Sequence, residues 1–318
     1  MTDLPLPSRT IIATRSSAMA MAQTAAVAAL LRQAHPGVVA HFSQITTTAD
    51  RHLGSLDTVG GKSAWIRELD AALVDGRADL AVSCAKDLPG PHERGTAVAI
   101  GAVLPRADAR DAVVLPTGAD PTPLHELRPG SVVGTIAPRR AAQLRTRFPQ
   151  LAVRPLRGNL DTRIKRLDEG DDGLDALVVS YAGLQRIGLS GRAAEVFPTN
   201  LLMPATGAGF VIVEHRAGDP TAARLLEPIN DQSAQRLLNV ERGVLGELRG
   251  DCHTACSVHA TYDASGTQVQ VTAAVFDPDS GPAANVTASR PVGDDQALID
   301  EVVQLLRAEG AGSLLPPR

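Results

Sequence analysis

A short apolar run from Thr10 to Thr14 ends in a polar turn, and an alanine-rich stretch follows up to a His35-Pro36-Gly37 stop. That pattern reads as strand, loop and helix. Val38 to Ile45 is a second β-rich segment, and the polar stretch from Thr46 to Gly61, which has little periodicity, is expected to be a mobile loop. The spacing then predicts a helix from about Lys62 to Asp75 and a buried strand from Leu80 to Ser83, with Lys86 and Asp87 just beyond its carboxyl end. In open α/β sheets, ligands bind at that edge.

After a Pro- and Gly-rich stretch near Pro105 to Pro129 the alternation restarts. Strands are predicted at Val132–Ile136, Leu151–Arg154 and Ala176–Ser180, and helices at Pro138–Phe148 and Leu160–Glu169, which makes a second α/β unit. Apolar Phe210 to Val213 is placed to return to the first sheet, so the first domain is discontinuous. The last portion has a helix near Ala234–Leu248, strands near Ser257–Tyr262, Gln268–Phe276 and Val286–Pro291, and a final helix from Asp294 to Ala308. This order implies an α+β domain with an antiparallel sheet. The expected division is domain 1 over 1–104 and 205–229, domain 2 over 105–204 and domain 3 over 230–318. No short-period repeat or low-complexity tract interrupts it.

Composition narrows the function. The 318 residues carry a formal net charge of −4 and only eight aromatic residues, which argues against a general nucleic-acid binder with a basic surface and stacking platforms. No run of about 20 apolar residues is present, so no membrane span is expected. The alanine-rich segment after Arg15 is broken by Gln23 and Thr24 and closed by Arg32, as a helix is and a secretory signal is not. Three cysteines, Cys84, Cys252 and Cys256, are too few for a disulfide framework and fit a reducing cytoplasm.

Of the 31 basic residues only Lys62, Lys86 and Lys165 are lysines. Heavy use of Ala, Gly and Pro attributes much of this skew to GC-rich codons, but the positions are uneven. Between Arg139 and Arg166 lie eight arginines and Lys165 against one acid, Asp161, a net charge of +8. Arg139 and Arg140 begin a helix, and Arg157-Gly158-Asn159 precedes another that Asn159 is placed to cap. Guanidinium forks beside free helix amides suit carboxylates or phosphates. The plainer alternative is a solvated face paired to acids elsewhere. The Lys86-Asp87 pair offers a carboxylate held ionised among cations, able to stabilise positive charge or take a proton; a simple surface ion pair is the alternative. Cys252, after Gly250, suits an exposed thiol on a loop, whereas Cys256 at a strand start reads as inert. A metal set of Cys252, Cys256 and His259 lacks a CxxC knuckle, and no metal is expected.

Taken in order, several segments resemble the porphobilinogen deaminase (hydroxymethylbilane synthase) family over nearly the whole chain. They are Ala13-Thr14-Arg15-Ser16-Ser17, Val59-Gly60-Gly61-Lys62, Arg77-Ala78-Asp79-Leu80-Ala81-Val82, Lys86-Asp87-Leu88-Pro89, Arg139-Arg140, Leu156-Arg157-Gly158-Asn159 with Thr162-Arg163, Ala182-Gly183-Leu184-Gln185-Arg186, Pro204-Ala205 and Cys252. The resemblance implies two periplasmic-binding-protein-like α/β lobes plus a smaller α+β C-terminal domain. It implies a dipyrromethane cofactor, made from the substrate and joined by a thioether to Cys252. The implied reaction is deamination and head-to-tail condensation of four porphobilinogen molecules, followed by hydrolytic release of hydroxymethylbilane for haem synthesis. Asp87 matches the catalytic carboxylate that stabilises the cationic azafulvene. Lys86, Arg139, Arg140 and Arg163 match cofactor contacts, and Arg15, Ser17, Arg157, Arg163 and Arg186 match substrate contacts. Each pyrrole ring carries two carboxylates, each costing several kcal/mol if desolvated unpaired, which gives the arginines a reason. The resemblance also implies a cytoplasmic monomer.

The chain departs from the family pattern in places. Thr135-Ile136-Ala137-Pro138 stands where Thr-Ser-Ser-Leu is usual, and Ser83-Cys84-Ala85 replaces the usual His-Ser before Lys86. Thr206-Gly207-Ala208-Gly209 lacks a glutamine, and Asp251 replaces a glycine beside Cys252, where a carboxylate raises a thiol pKa. These changes keep the charges and alter their positioning. They leave open a specialised paralogue, or a module that binds a polycarboxylate without turnover.

Overall fold

The computed structural model describes residues 6–52, 56–59, 61–249, 255–277 and 281–315. In chain order the first elements are β1 (Arg9–Arg15), α1 (Ala18–Ala34), β2 (Val39–Ile45), α2 (Thr48–Arg51), α3 (Arg67–Val74), β3 (Leu80–Cys84) and β4 (Val98–Val103). Next come β5 (Asp111–Val114), β6 (Val132–Gly134), α4 (Pro138–Arg147), β7 (Ala152–Arg154), α5 (Leu160–Asp168), β8 (Ala176–Ser180), α6 (Tyr181–Arg186) and β9 (Ala193–Val196). The chain closes with β10 (Val211–Arg216), α7 (Pro220–Leu226), α8 (Gln232–Glu247), β11 (Cys256–Tyr262), β12 (Gln268–Asp277), β13 (Gly281–Pro291) and α9 (Asp295–Ala308).

Two compact units result, Met1–Ala107 with Phe210–Arg236 and Asp108–Gly209 with Leu237–Arg318. The first holds a five-stranded sheet of order β2-β1-β3-β10-β4. Strand β1 runs parallel to β2 and β3, and β10 returns antiparallel between β3 and β4. Helices α1 and α7 cover one face through Val27, Leu31, Leu225 and Leu226, and α3 covers the other through Leu69 and Leu73. Burial on both faces explains why β3 is apolar nearly throughout instead of alternating.

The second unit repeats this plan, with strand order β7-β6-β8-β5-β9. Strand β6 is parallel to β7 and β8, and β5 is the antiparallel insertion between β8 and β9. Even the irregularity recurs: the register slips at Val213/Glu214 against β4 and at Val113/Val114 against β9. Helix α5 packs on one face through Leu160, Ile164 and Leu167, and α4 on the other through Leu144 and Phe148. The same unit contains the antiparallel sheet β11-β12-β13, on which α9 packs. Ala142, Met203, Ala255, Ala274 and Phe276 form a core cluster that includes residues of α4 and β12.

The structure corrects the expectation of a loop over 46–61 for the described residues, residues 53–55 and 60 lying outside them. Thr47 and Asp50 form a reciprocal capping box that starts α2, and 3-10 turns occupy Leu56–Val59 and Gly61–Trp65. Short capped turns carry no hydrophobic period, so pattern alone misses them. The helix expected from Lys62 is regular α-helix only from Arg67. Strand β5 lies inside the stretch read as Pro- and Gly-rich, because a four-residue central strand is too short to show alternation.

Candidate active site

The sequence-predicted residues cluster where the parallel strands of each sheet end. In the first unit β3 runs directly into a 3-10 turn, Ala85–Asp87. Main-chain bonds hold this turn, from Ala85 N–H to the Phe210 carbonyl at 3.1 Å and from Leu88 N–H to the Ala85 carbonyl at 3.2 Å. Lys86 and Asp87 are half-buried. Among the described residues the Asp87 carboxylate has no hydrogen-bond or ion-pair partner, so its charge is open to a ligand.

Arg15 closes β1, but its fork is already engaged. Its Nε donates to Asp50 Oδ2 at 3.1 Å, its Nη2 also donates to Asp50, and its guanidinium carbon lies 4.1 Å from the Trp65 ring centroid. Burial opposes ionisation of Asp50, yet the Arg15 and Thr47 donors outweigh it and hold the carboxyl below its ordinary range. Ser17 is buried and caps α1, its Oγ accepting the Ala20 N–H at 3.3 Å.

In the second unit, β6 is followed by a three-residue loop and then by α4, with Pro138 in the first helical turn. Arg139 and Arg140 are 5% and 6% exposed. Both reach Asp111 at the start of β5, which is 1% exposed: Arg139 Nη2 donates to Oδ2 at 2.7 Å and Arg140 Nη2 to Oδ1 at 2.6 Å. Arg139 Nη1 donates to the Met203 carbonyl at 2.8 Å, and Met203 N–H donates to Gln143 Oε1 at 2.7 Å. Burial alone raises a carboxyl pKa, but the two guanidiniums overcome it and bring Asp111 to about 2. Burial lowers Arg139 to about 10 against the pull of Asp111, with the Arg140 charge adding to the fall. Asp111 and Arg139 are therefore both charged at neutral pH.

Three of the four terminal nitrogens of Arg139 and Arg140 are thus bonded inside the protein, which corrects the expectation of forks wholly turned to a ligand. Their Nε atoms and Thr135 Oγ1 are buried and have no hydrogen-bond partner among the described residues. Buried donors left unmet are costly, so this is where the chain fits an anionic cofactor. Arg157 and Arg163 are half-buried, after β7 and on α5 respectively. Gly158 between them adopts φ +115°, a conformation that favours glycine. Asn159 occupies the N-cap position of α5, but its side chain makes no capping bond. Arg186 ends α6, and its Nη2 donates to the Gly209 carbonyl at 2.8 Å. Cys252 and Asp251 lie outside the described residues. Cys256 opens β11, and buried Cys84 accepts a hydrogen bond from Gln23 Nε2 at 3.0 Å. A cavity of about 470 Å³ in the second unit, lined by Gln143, Arg147 and His259 among others, includes none of the predicted site residues.

Sequence reasoning missed Asp111, Asp50, Trp65 and Met203. Asp111 left one signal, a lone acid directly before the apolar run Ala112–Leu115. The others are joined to their arginines only by the fold.

Two sheets of one plan, one ending in a carboxylate without a partner among the described residues and the other in a group of arginines, define a class: two-sheet α/β proteins with charged side chains at the strand ends, the edge where such sheets bind ligands. The family model for the porphobilinogen deaminase dipyrromethane-cofactor-binding domain matches residues 10–224. Porphobilinogen deaminase of Chromobacterium violaceum is 40% identical over 306 residues, covering 96% of both chains. Porphobilinogen deaminase 2 of Streptomyces coelicolor is 40% identical over 268 residues, covering 84% of each. Among solved structures, the periplasmic VFT2 domain of Bordetella pertussis BvgS covers 74% of this chain and 92% of its own, at 17% identity and a TM-score of 0.42. The fold assignment rests on the sheet topology and not on that distant likeness. The chain belongs to the porphobilinogen deaminase family. It is a transferase of tetrapyrrole biosynthesis that uses a dipyrromethane cofactor.

Proposed function

We propose that this chain condenses four porphobilinogen molecules head to tail on a dipyrromethane attached to Cys252 and releases hydroxymethylbilane. Asp87 is the catalytic group in this reading. When the aminomethyl C–N bond of porphobilinogen breaks and ammonia leaves, positive charge spreads onto the ring nitrogen. A half-buried carboxylate with no competing donor stabilises that charge more strongly than water does. After the new carbon–carbon bond forms, the displaced ring proton needs a base, and the same carboxylate can take it.

When bound, the dipyrromethane supplies the nucleophilic pyrrole carbon. Arg139, Arg140 and Arg163, with Lys86, would hold its carboxylates, and the partnerless Nε atoms of Arg139 and Arg140 support this reading. Arg15, Ser17, Arg157 and Arg186 serve the incoming substrate. Arg15 does so through whatever donor capacity Asp50 leaves, and Ser17 mainly by starting α1. The division into domains 1–104 with 205–229, 105–204 and 230–318 belongs to the same reading, as does a monomer in a reducing cytoplasm. Cys84 and Cys256 are thiols outside any disulfide among the described residues, which supports the compartment, and size-exclusion chromatography with light scattering tests the monomer.

The observation that carries the proposal is the free Asp87 carboxylate at the end of β3. Intact-mass measurement tests the proposal. The purified protein should exceed its sequence mass by one dipyrromethane, and Cys252→Ser should remove both the excess and the activity. A wild-type protein with no adduct after incubation with porphobilinogen would overturn it.

A further inference from the structure

We propose that Asp111 is a positioning residue of this reaction: it fixes one outer nitrogen of Arg139 and one of Arg140, cancels one of their two charges, and so leaves their buried Nε atoms as a preset seat for one carboxylate. The inference rests on the function proposed above and deepens it.

The argument starts from repulsion. Consecutive arginines on the first turn of α4, each less than a tenth exposed, place two positive charges where water cannot screen them. One carboxylate between them reduces the pair to a single net positive charge. Asp111 comes from β5, a central strand of the sheet, so its position is set by the ladder to β8 and β9 and not by a mobile side arm. Each of its oxygens takes one guanidinium. The Met203 carbonyl, braced by Gln143, takes a third terminal nitrogen. Both Nε atoms are left buried and without acceptors among the described residues. A net charge of +1 with two unmet donors matches one carboxylate of a pyrrole side chain. Asp111 itself, occupied on both oxygens, acts only through the arginines.

Asp111→Asn tests this. The amide keeps the shape but loses the charge and offers N–H groups to one guanidinium. Apoprotein and cofactor-loaded protein are compared by thermal unfolding, with loading read by intact mass. The apoprotein Tm should fall by roughly 5–10 °C, the range expected for losing one strong buried interaction. The loaded form should fall by less than half as much, because a cofactor carboxylate restores the missing negative charge. Asp111→Glu, which keeps the charge, should return the apoprotein most of the way to wild type. Equal shifts in both forms, or no shift in either, would overturn the proposal. If Asp111→Asn gives no folded apoprotein, the double variant with Arg140→Gln restores the net charge and should recover it; failure to recover also counts against the proposal. An adduct on wild type together with equal shifts removes only this inference, whereas absence of the adduct removes the function reading as well.

Discussion

Asp87 owes its position to the main chain. The turn that presents it is held by the Phe210 and Ala85 carbonyls and begins from a fully buried strand, so the side chain contributes little to the fold. Asp87→Asn should therefore leave the urea midpoint unchanged within error while lowering porphobilinogen turnover by roughly 10²–10³-fold or more, the usual effect of losing one electrostatic stabiliser. Steady-state consumption of porphobilinogen checks this, and near-normal turnover would assign the role elsewhere. At this scale the residue types were legible from sequence, since Lys86-Asp87 falls just after a buried apolar run. Their occupancy was not. Arg15, Arg139 and Arg140 look alike as motif arginines, yet Arg15 meets Asp50 while Arg139 and Arg140 share Asp111 and Arg139 also takes the Met203 carbonyl, and Asp87 has no donor or cationic partner among the described residues.

Elements follow from local chemistry where it is strong. Ser17 caps α1 with its hydroxyl, and Thr47 and Asp50 cap α2 reciprocally. The start of α4 has no such cap, Ala137 lacking a hydroxyl, and depends instead on Pro138 and on the Arg139 and Arg140 bonds to Asp111. The end of β6 just before it is close-packed. A Cβ on Gly134 would stand 2.8 Å from Leu177 Cδ2 and 3.2 Å from Leu174 Cδ2. Gly134→Ala should thus destabilise the protein by about 1–3 kcal/mol, the ordinary cost of overpacking a core. Chemical denaturation checks the loss, and a value near zero would mean the leucines repack freely. The lengths of α1, α4, α5, α8 and α9 and the long strands were readable from periodicity, whereas α6, α7, β5, β9 and the capped turns were too short to show one.

At the scale of the molecule, two sheets of the same spatial plan each put their candidate site residues at the same edge, and no residue-level repeat announces the duplication. The charge network also gives the whole protein a pH dependence. Asp111 titrates near 2 in the folded state against an ordinary 3.8, so its contribution is fully present above pH 4 and is lost as the pH falls towards 2. A shift of nearly two units corresponds to about 2 kcal/mol. Asp50, Asp108 and Asp168 are also lowered and add to the loss with the same sign, whereas Asp70 is raised by burial and opposes it. Stability measured between pH 5 and pH 2 should therefore drop steeply, and the drop should shrink in Asp111→Asn. An identical pH profile in the variant would remove Asp111 from the account.

The sequence by itself determined the α/β class, the order of most elements, the family, and the residues that carry charge to the ends of the strands. Those features depend on local patterns and on motifs short enough to be seen along the chain. Only the tertiary structure decided which charges are already paired, that β10 and β5 insert antiparallel into their sheets, and that Asp111 governs the arginine pair. Each depends on groups far apart in sequence brought within about 3 Å, where burial strips away water and partner geometry, not residue type, sets the chemistry.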